Sequence, residues 1–131
     1  MSAQQDPAAV AVARAHVEAW GDHDYDKARE SLAPDVHVLA VSVDAGAPRT
    51  DLSGIDAYME GLVRFGQIVP PGTSRVTSAV GDDTRALLHV ISKVKFGPDA
   101  PEMDHHQARL YRLDEDQKIV EEQVIFFALP Q

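Results

Sequence analysis

Residues 103–126, MDHHQARLYRLDEDQKIVEEQVIF, decide the fold. Two runs of alternating character flank the polar turn DEDQ, which is the pattern of a β-hairpin. Side chains two apart on a strand share a face and neighbours do not. One face of the first strand therefore carries Met103, His105, Gln107, Arg109, Tyr111 and Leu113. The other carries Asp104, His106, Ala108, Leu110 and Arg112. In the second strand Val120, Glu122, Val124 and Phe126 alternate with Glu121, Gln123, Ile125 and Phe127. Glu122 thus falls among apolar side chains, where a carboxylate either rises in pKa or finds a cationic partner. Arg109 on the neighbouring strand is the candidate partner. The alternation also splits Asp104-His105-His106 between two faces, so the adjacent histidines cannot hold one metal ion together, and no metal site is expected.

Upstream, SRVTSAV (74–80) with the GDD turn, then TRALLHVISKVKF (84–96) with GPDAP, read as further hairpin-linked strands. Before them the period changes. Val10, Ala13, Val17 and Trp20 recur at helical spacing behind Asp6 as cap and Pro7 at the first helical position, and Gly21 ends the helix. DYDKARESLA (24–33) fits a short helix capped by Asp24, with Ala28 and Leu32 inward, closed by Pro34. DVHVLAVSV (35–43) reads as a strand and DAGAPRTD (44–51) as a loop. A third helix begins at Ser53 with Asp56 as a capping-box pair, its apolar face being Ile55, Met59, Leu62 and Val63.

Helices first and hairpin-linked strands after imply an α+β fold, three N-terminal helices on one face of a curved, mostly antiparallel sheet. The chain of 131 residues is one domain, 1–131, by length. Its net charge of −9 lacks the basic footprint a nucleic acid or anionic membrane demands. The absence of cysteine removes disulfides, thiolate metal sites and cysteine nucleophiles. The N-terminal residues have no basic start and no long apolar run, and VIFFAL (124–129) is far short of the ~20 residues of a membrane helix. A cytoplasmic protein is expected.

Three stretches carry a family resemblance. VARAHVEAWGDHDYDKARESLAPDV (12–36), DLSGIDAYMEGLVRF (51–65) and ARLYRLDEDQKIVEEQVIF (108–126) resemble the nuclear transport factor 2-like superfamily, nearest its SnoaL-like polyketide cyclase and ketosteroid isomerase-like group. In the last stretch the usual glycine before KIVE is Gln117. The resemblance implies a cystatin-like cone whose interior is a pocket, with helices on the concave face. It turns the His105, Gln107, Arg109, Tyr111 and Phe126 face inward and leaves the back of the sheet as a homodimer surface. It also places His16 where the isomerase-like pattern has an oxyanion-binding tyrosine, Ala40 where it has the catalytic aspartate, and Arg109 where it has a second oxyanion acid. Ketosteroid isomerisation is therefore not expected.

The expectation is a pocket for a small apolar or carbonyl-containing molecule. If it is an enzyme, the reaction is proton transfer without a cofactor. Glu122 or His105 is the base, and His16, Arg109 and Tyr111 steady the oxyanion. Gln107, Trp20, Tyr58 and Phe126 complete the wall, with Trp20 and Tyr58 largely packing. The alternatives are a binding or interaction module without chemistry, and a dehydratase using histidines.

Overall fold

A computed structural model describes residues 6–43 and 49–127. Three helices, α1 (Ala8–Gly21), α2 (Tyr25–Glu30) and α3 (Ile55–Gly66), pack on one six-stranded sheet. The strands are β1 (Leu32–Ser42), β2 (Thr50–Ser53), β3 (Arg75–Gly81), β4 (Arg85–Val94), β5 (Met103–Leu113) and β6 (Ile119–Phe126). Their order is β2-β1-β6-β5-β4-β3. Every neighbouring pair is antiparallel except β1 with β6, which is parallel. The expected α+β fold is therefore present, with α1 lying across β3–β5 and α3 across β1 and β2. The core is one apolar cluster between helices and sheet, including Val10, Val17, Trp20, Val36, Leu88, Val90, Tyr111 and Ile119.

Local chemistry explains both the agreements and the corrections. Asp24 caps α2 as expected, accepting the Lys27 N–H at 3.2 Å. Asp6 does not cap α1 and instead pairs with Arg14 at 3.1 Å. The first N–H groups of α1 reach across to the β3–β4 turn, Ala8 donating to Asp83 and Ala9 to the Asp82 carbonyl. Helix ends need such acceptors, and here the turn supplies them. Pro34 does not close α2. It lies inside β1, where the pairing with β6 slips between Leu32 and His37 and no ladder N–H is required of it.

The Ser53 capping box is absent. Ser53 ends β2, which falls partly in the segment read as a loop, and Gly54 precedes α3 at φ 92°, a conformation open to glycine at little cost. Asp56 pairs instead with Arg29 at 2.8 Å. The α3 face is rotated from the expected one. Tyr58, Met59 and Leu62 are buried and Val63 is exposed. The turn before β6 puts Gln117, the position of the family glycine, in the left-handed region at φ 61°. The ladder then slips by one residue, pairing Arg112 with Glu121 but Leu113 with Ile119. That bulge turns Ile119 into the core in place of Val120.

Candidate active site

The α3 face, the β1–β2 edge and the inner faces of β5 and β6 enclose a cavity of about 440 Å³. Its walls are apolar: Val38 and Ala40 from β1, Leu52 from β2, Leu62 and Phe65 from α3, Val124 and Phe126 from β6. Gly61 lets α3 approach β2 closely, since a Cβ there would meet Leu52 at 2.8 Å. Thr50, Arg64, Gln67 and Ile68 also line the cavity. Three polar side chains converge on it from deep positions, namely Tyr58, Arg109 and Glu122.

Glu122 and Arg109 form an ion pair at 3.2 Å, with under 5% of either side chain exposed. The other carboxylate oxygen accepts from the Tyr58 hydroxyl at 2.8 Å. Arg109 is fixed further by donating to Gln107 at 2.8 Å, and Gln107 donates to Ser92 at 3.0 Å. The guanidinium also stacks over Trp20, 4.6 Å from the ring centre. Burial opposes the charge on Arg109, but Tyr111, Glu122 and Tyr58 outweigh it and raise the guanidinium further. Burial, reinforced by Glu122, pushes the Tyr58 and Tyr111 hydroxyls well above their usual range, so both keep their protons. The Tyr111 hydroxyl lies against Glu122 and Arg109 without a well-formed hydrogen bond.

The expected site residues thus separate into layers. Glu122, Arg109, Tyr58 and Phe126 touch the cavity. Gln107, Trp20 and Tyr111 are buried behind them, and Gln107 and Trp20 hold Arg109 in place. His16 does not line the cavity. It is buried behind Tyr58, with Nε2 2.9 Å from the Tyr58 hydroxyl and Nδ1 3.0 Å from the Ala28 carbonyl and 2.7 Å from Ser31 Oγ. Burial lowers its pKa to about 4; Glu122 and the Ala28 carbonyl oppose the shift, and Arg109 adds to it. His105 is half-buried, outside the cavity lining, and stacks on Phe126 with ring centres 5.3 Å apart. His106 points to the back of the sheet. There it meets His89 at 2.9 Å, while Asp104 pairs with Lys93.

Sequence reasoning missed Leu52, Gly61, Phe65 and Ile68. Gly61 and Phe65 were legible as a helical stripe, since Tyr58, Gly61, Leu62 and Phe65 stand at i, i+3, i+4 and i+7. Thr50 and Leu52 carried no such signal, because β2 exists only through its pairing with β1.

Comparison with known proteins agrees with this fold. A family model described as SnoaL-like domain matches residues 13–122. A crystal structure of a Kribbella flavida protein superposes with a TM-score of 0.71 at 28% identity, covering 91% of this chain and 86% of that one. A Shewanella putrefaciens protein described as a candidate SnoaL-like polyketide cyclase gives a TM-score of 0.73 at 13% identity, covering 93% and 81%. An epoxide hydrolase of M. tuberculosis gives 0.68 at 18% identity, covering 91% and 82%. No functionally curated protein matches the chain.

Proposed function

The chain belongs to the SnoaL-like domain family, and from that premise we propose that its cavity binds a small, largely apolar molecule bearing an oxygen function and moves a proton on it without a cofactor. The observation that carries this is Glu122, a buried carboxylate facing an apolar cavity while fixed by two donors. A carboxylate offers about four lone-pair directions, and Tyr58 and Arg109 use two. Glu122 lines the cavity with lone pairs to spare, so it is the base in this reading. Arg109 and Tyr58 stand beside the proton it takes and are the donors for a developing oxyanion. His105, stacked on Phe126, is set aside as a base. Dehydration through histidines is not carried forward, since neither His16 nor His105 lines the cavity.

A binder without chemistry is the second reading, favoured by the fact that both Glu122 oxygens already have partners. One experiment separates the two. Trp20 is the only tryptophan and lies under Arg109, so its fluorescence reports occupancy of the cavity. A panel of cyclic ketones, epoxides and polycyclic aromatic ketones is screened this way, and hits are assayed for turnover. Glu122→Gln is expected to keep binding within a few-fold and lose turnover on the order of 100-fold. Binding without turnover in the unaltered protein selects the second reading. Failure of every panel member to quench Trp20 would overturn both.

The proposal extends to a homodimer through the back of the sheet. Val80, Leu87 and Leu110 are all exposed and sit side by side in register across β3, β4 and β5. Ile125 and Phe127 are exposed close by. A contiguous exposed apolar row of this kind is what an interaction surface presents. Light scattering at tens of micromolar is expected to give twice the chain mass, and Leu110→Asp to give the single mass with an unchanged circular dichroism spectrum. A single mass for the unaltered chain sinks the dimer.

A further inference from the structure

The polar residues that line the cavity fall into two groups. Tyr58, Arg109 and Glu122 are buried, and Thr50, Arg64 and Gln67 are exposed. The exposed group marks the mouth. We propose that Arg64 is the specificity-determining residue of this mouth, and that the ligand carries a carboxylate at the end remote from its reacting oxygen. The proposal rests on the reading of the cavity given above and narrows its ligand class to apolar carbonyl compounds that are also acids.

The other arginines around the cavity already have partners. Arg109 pairs with Glu122, Arg29 with Asp56 and Arg49 with Asp51. Arg64 forms no ion pair or hydrogen bond with a described residue. Glu60, one turn earlier on α3, is the acid best placed for it by helical spacing, and no pair forms. Arg64 does lie in the last turn of α3, where the partial negative charge of the helix end favours a cation. That accounts for a basic residue in this turn but not for its place on the cavity wall.

Helix α3 sets the distance between the two polar ends. Tyr58, Gly61, Leu62 and Phe65 run along the cavity. Arg64 stands beside them, about 9 Å of helix beyond Tyr58 at a rise of about 1.5 Å per residue. Long side chains on a helix lean back over the preceding turn. The residue there on this side is Gly61, which has no side chain to hold the guanidinium away from the opening. The fitting ligand has its oxygen function at Tyr58, Arg109 and Glu122, an apolar body against Leu62, Phe65 and Val124, and an anion at the rim. A carboxylate suits the rim better than a phosphate. Its two coplanar oxygens match the guanidinium fork, whereas a dianion would meet one cation on a chain of net charge −9.

The test is titration calorimetry with a series of acetylarenes of increasing length. Each carries a carboxylate at the end remote from the acetyl group, and each is paired with the carboxamide of the same shape. Where the two groups stand about 9 Å apart, the acid is expected to bind about 5- to 10-fold more tightly than the amide. Added salt should shrink that preference. Arg64→Gln should bring the acid down to the level of the amide and leave the amide unchanged, so the amide also reports that the cavity is intact. Equal affinity of acid and amide in the unaltered chain would overturn the inference and leave the cavity reading standing. A preference that survives Arg64→Gln would overturn it too, by assigning the anion to another cation. Lys95 is one such cation, since it lines a groove that shares Gln67 and Ile68 with the cavity. Lys95→Gln is therefore the companion variant, expected to keep the full preference; its loss there counts against Arg64. Binding by neither member of any pair would remove the cavity reading and this inference with it.

Discussion

Replacing Arg109 with methionine is expected to destabilise the protein by about 3–5 kcal/mol, the usual cost of leaving one member of a buried ion pair without its partner. Three losses coincide at this position. Glu122 keeps a carboxylate in an apolar wall with only Tyr58 to hold it. Gln107 loses the donor to its side-chain oxygen. Trp20 loses the cation over its ring. Arg109→Met combined with Glu122→Leu is expected to recover most of the stability, because the desolvation cost leaves together with the pair. Urea unfolding of the two single variants and the double variant measures this as a cycle. A loss below about 1 kcal/mol for Arg109→Met would show that the pair is screened by water and that the cavity floor is not closed.

The second large effect is on stability against pH. His16 is lowered from 6.5 to about 4 in the folded chain. Between those values the unfolded chain binds the proton and the folded chain does not, so stability falls as pH drops through this window. Above pH 6.5 the contribution is fully present, and below pH 4 the loss is complete. At about 1.4 kcal/mol per unit the whole window amounts to roughly 3 kcal/mol, of which about 2 kcal/mol is lost between pH 7.5 and pH 5. His16→Gln keeps a neutral hydrogen-bonding group beside Tyr58 and is expected to flatten the slope in this range. The surface carboxylates Asp51, Asp82 and Asp104 are each lowered from 3.8 by hydrogen-bonding partners, so they titrate below the window. A slope that survives His16→Gln would place its origin elsewhere.

Much of this site was legible because a strand's period is strict. Once β5 was a strand, Gln107, Arg109 and Tyr111 had to share a face, and the inner face of β6 brought Glu122 within reach of Arg109. Val120 was misplaced for the complementary reason. One bulge residue inverts every side chain before it, and Gln117 in the left-handed region gave no warning in a sequence where glycine is the usual sign. Helix ends were less legible. Asp6 and Ser53 are both chemically fit to cap, but a turn from another hairpin and a glycine took those places. For His16 the helical pattern gave an angle on α1 and nothing about what waited there. Tyr58 and Ser31, 42 and 15 residues away, decide its function.

The parallel pairing of β1 with β6 carries a consequence for how the molecule comes together. The hairpins of β3–β5 and the β1–β2–α3 unit are built from near neighbours in sequence, but Val38 must find Glu122 before the sheet is continuous. Contacts of such long range slow folding, because loop-closure entropy must be overcome before they are made. Both residues line the cavity. The carboxylate therefore arrives with the strand that joins the two halves, and no partly assembled form possesses the site. A ligand of this cavity recognises only the finished fold, so it should raise the unfolding midpoint in full proportion to its affinity.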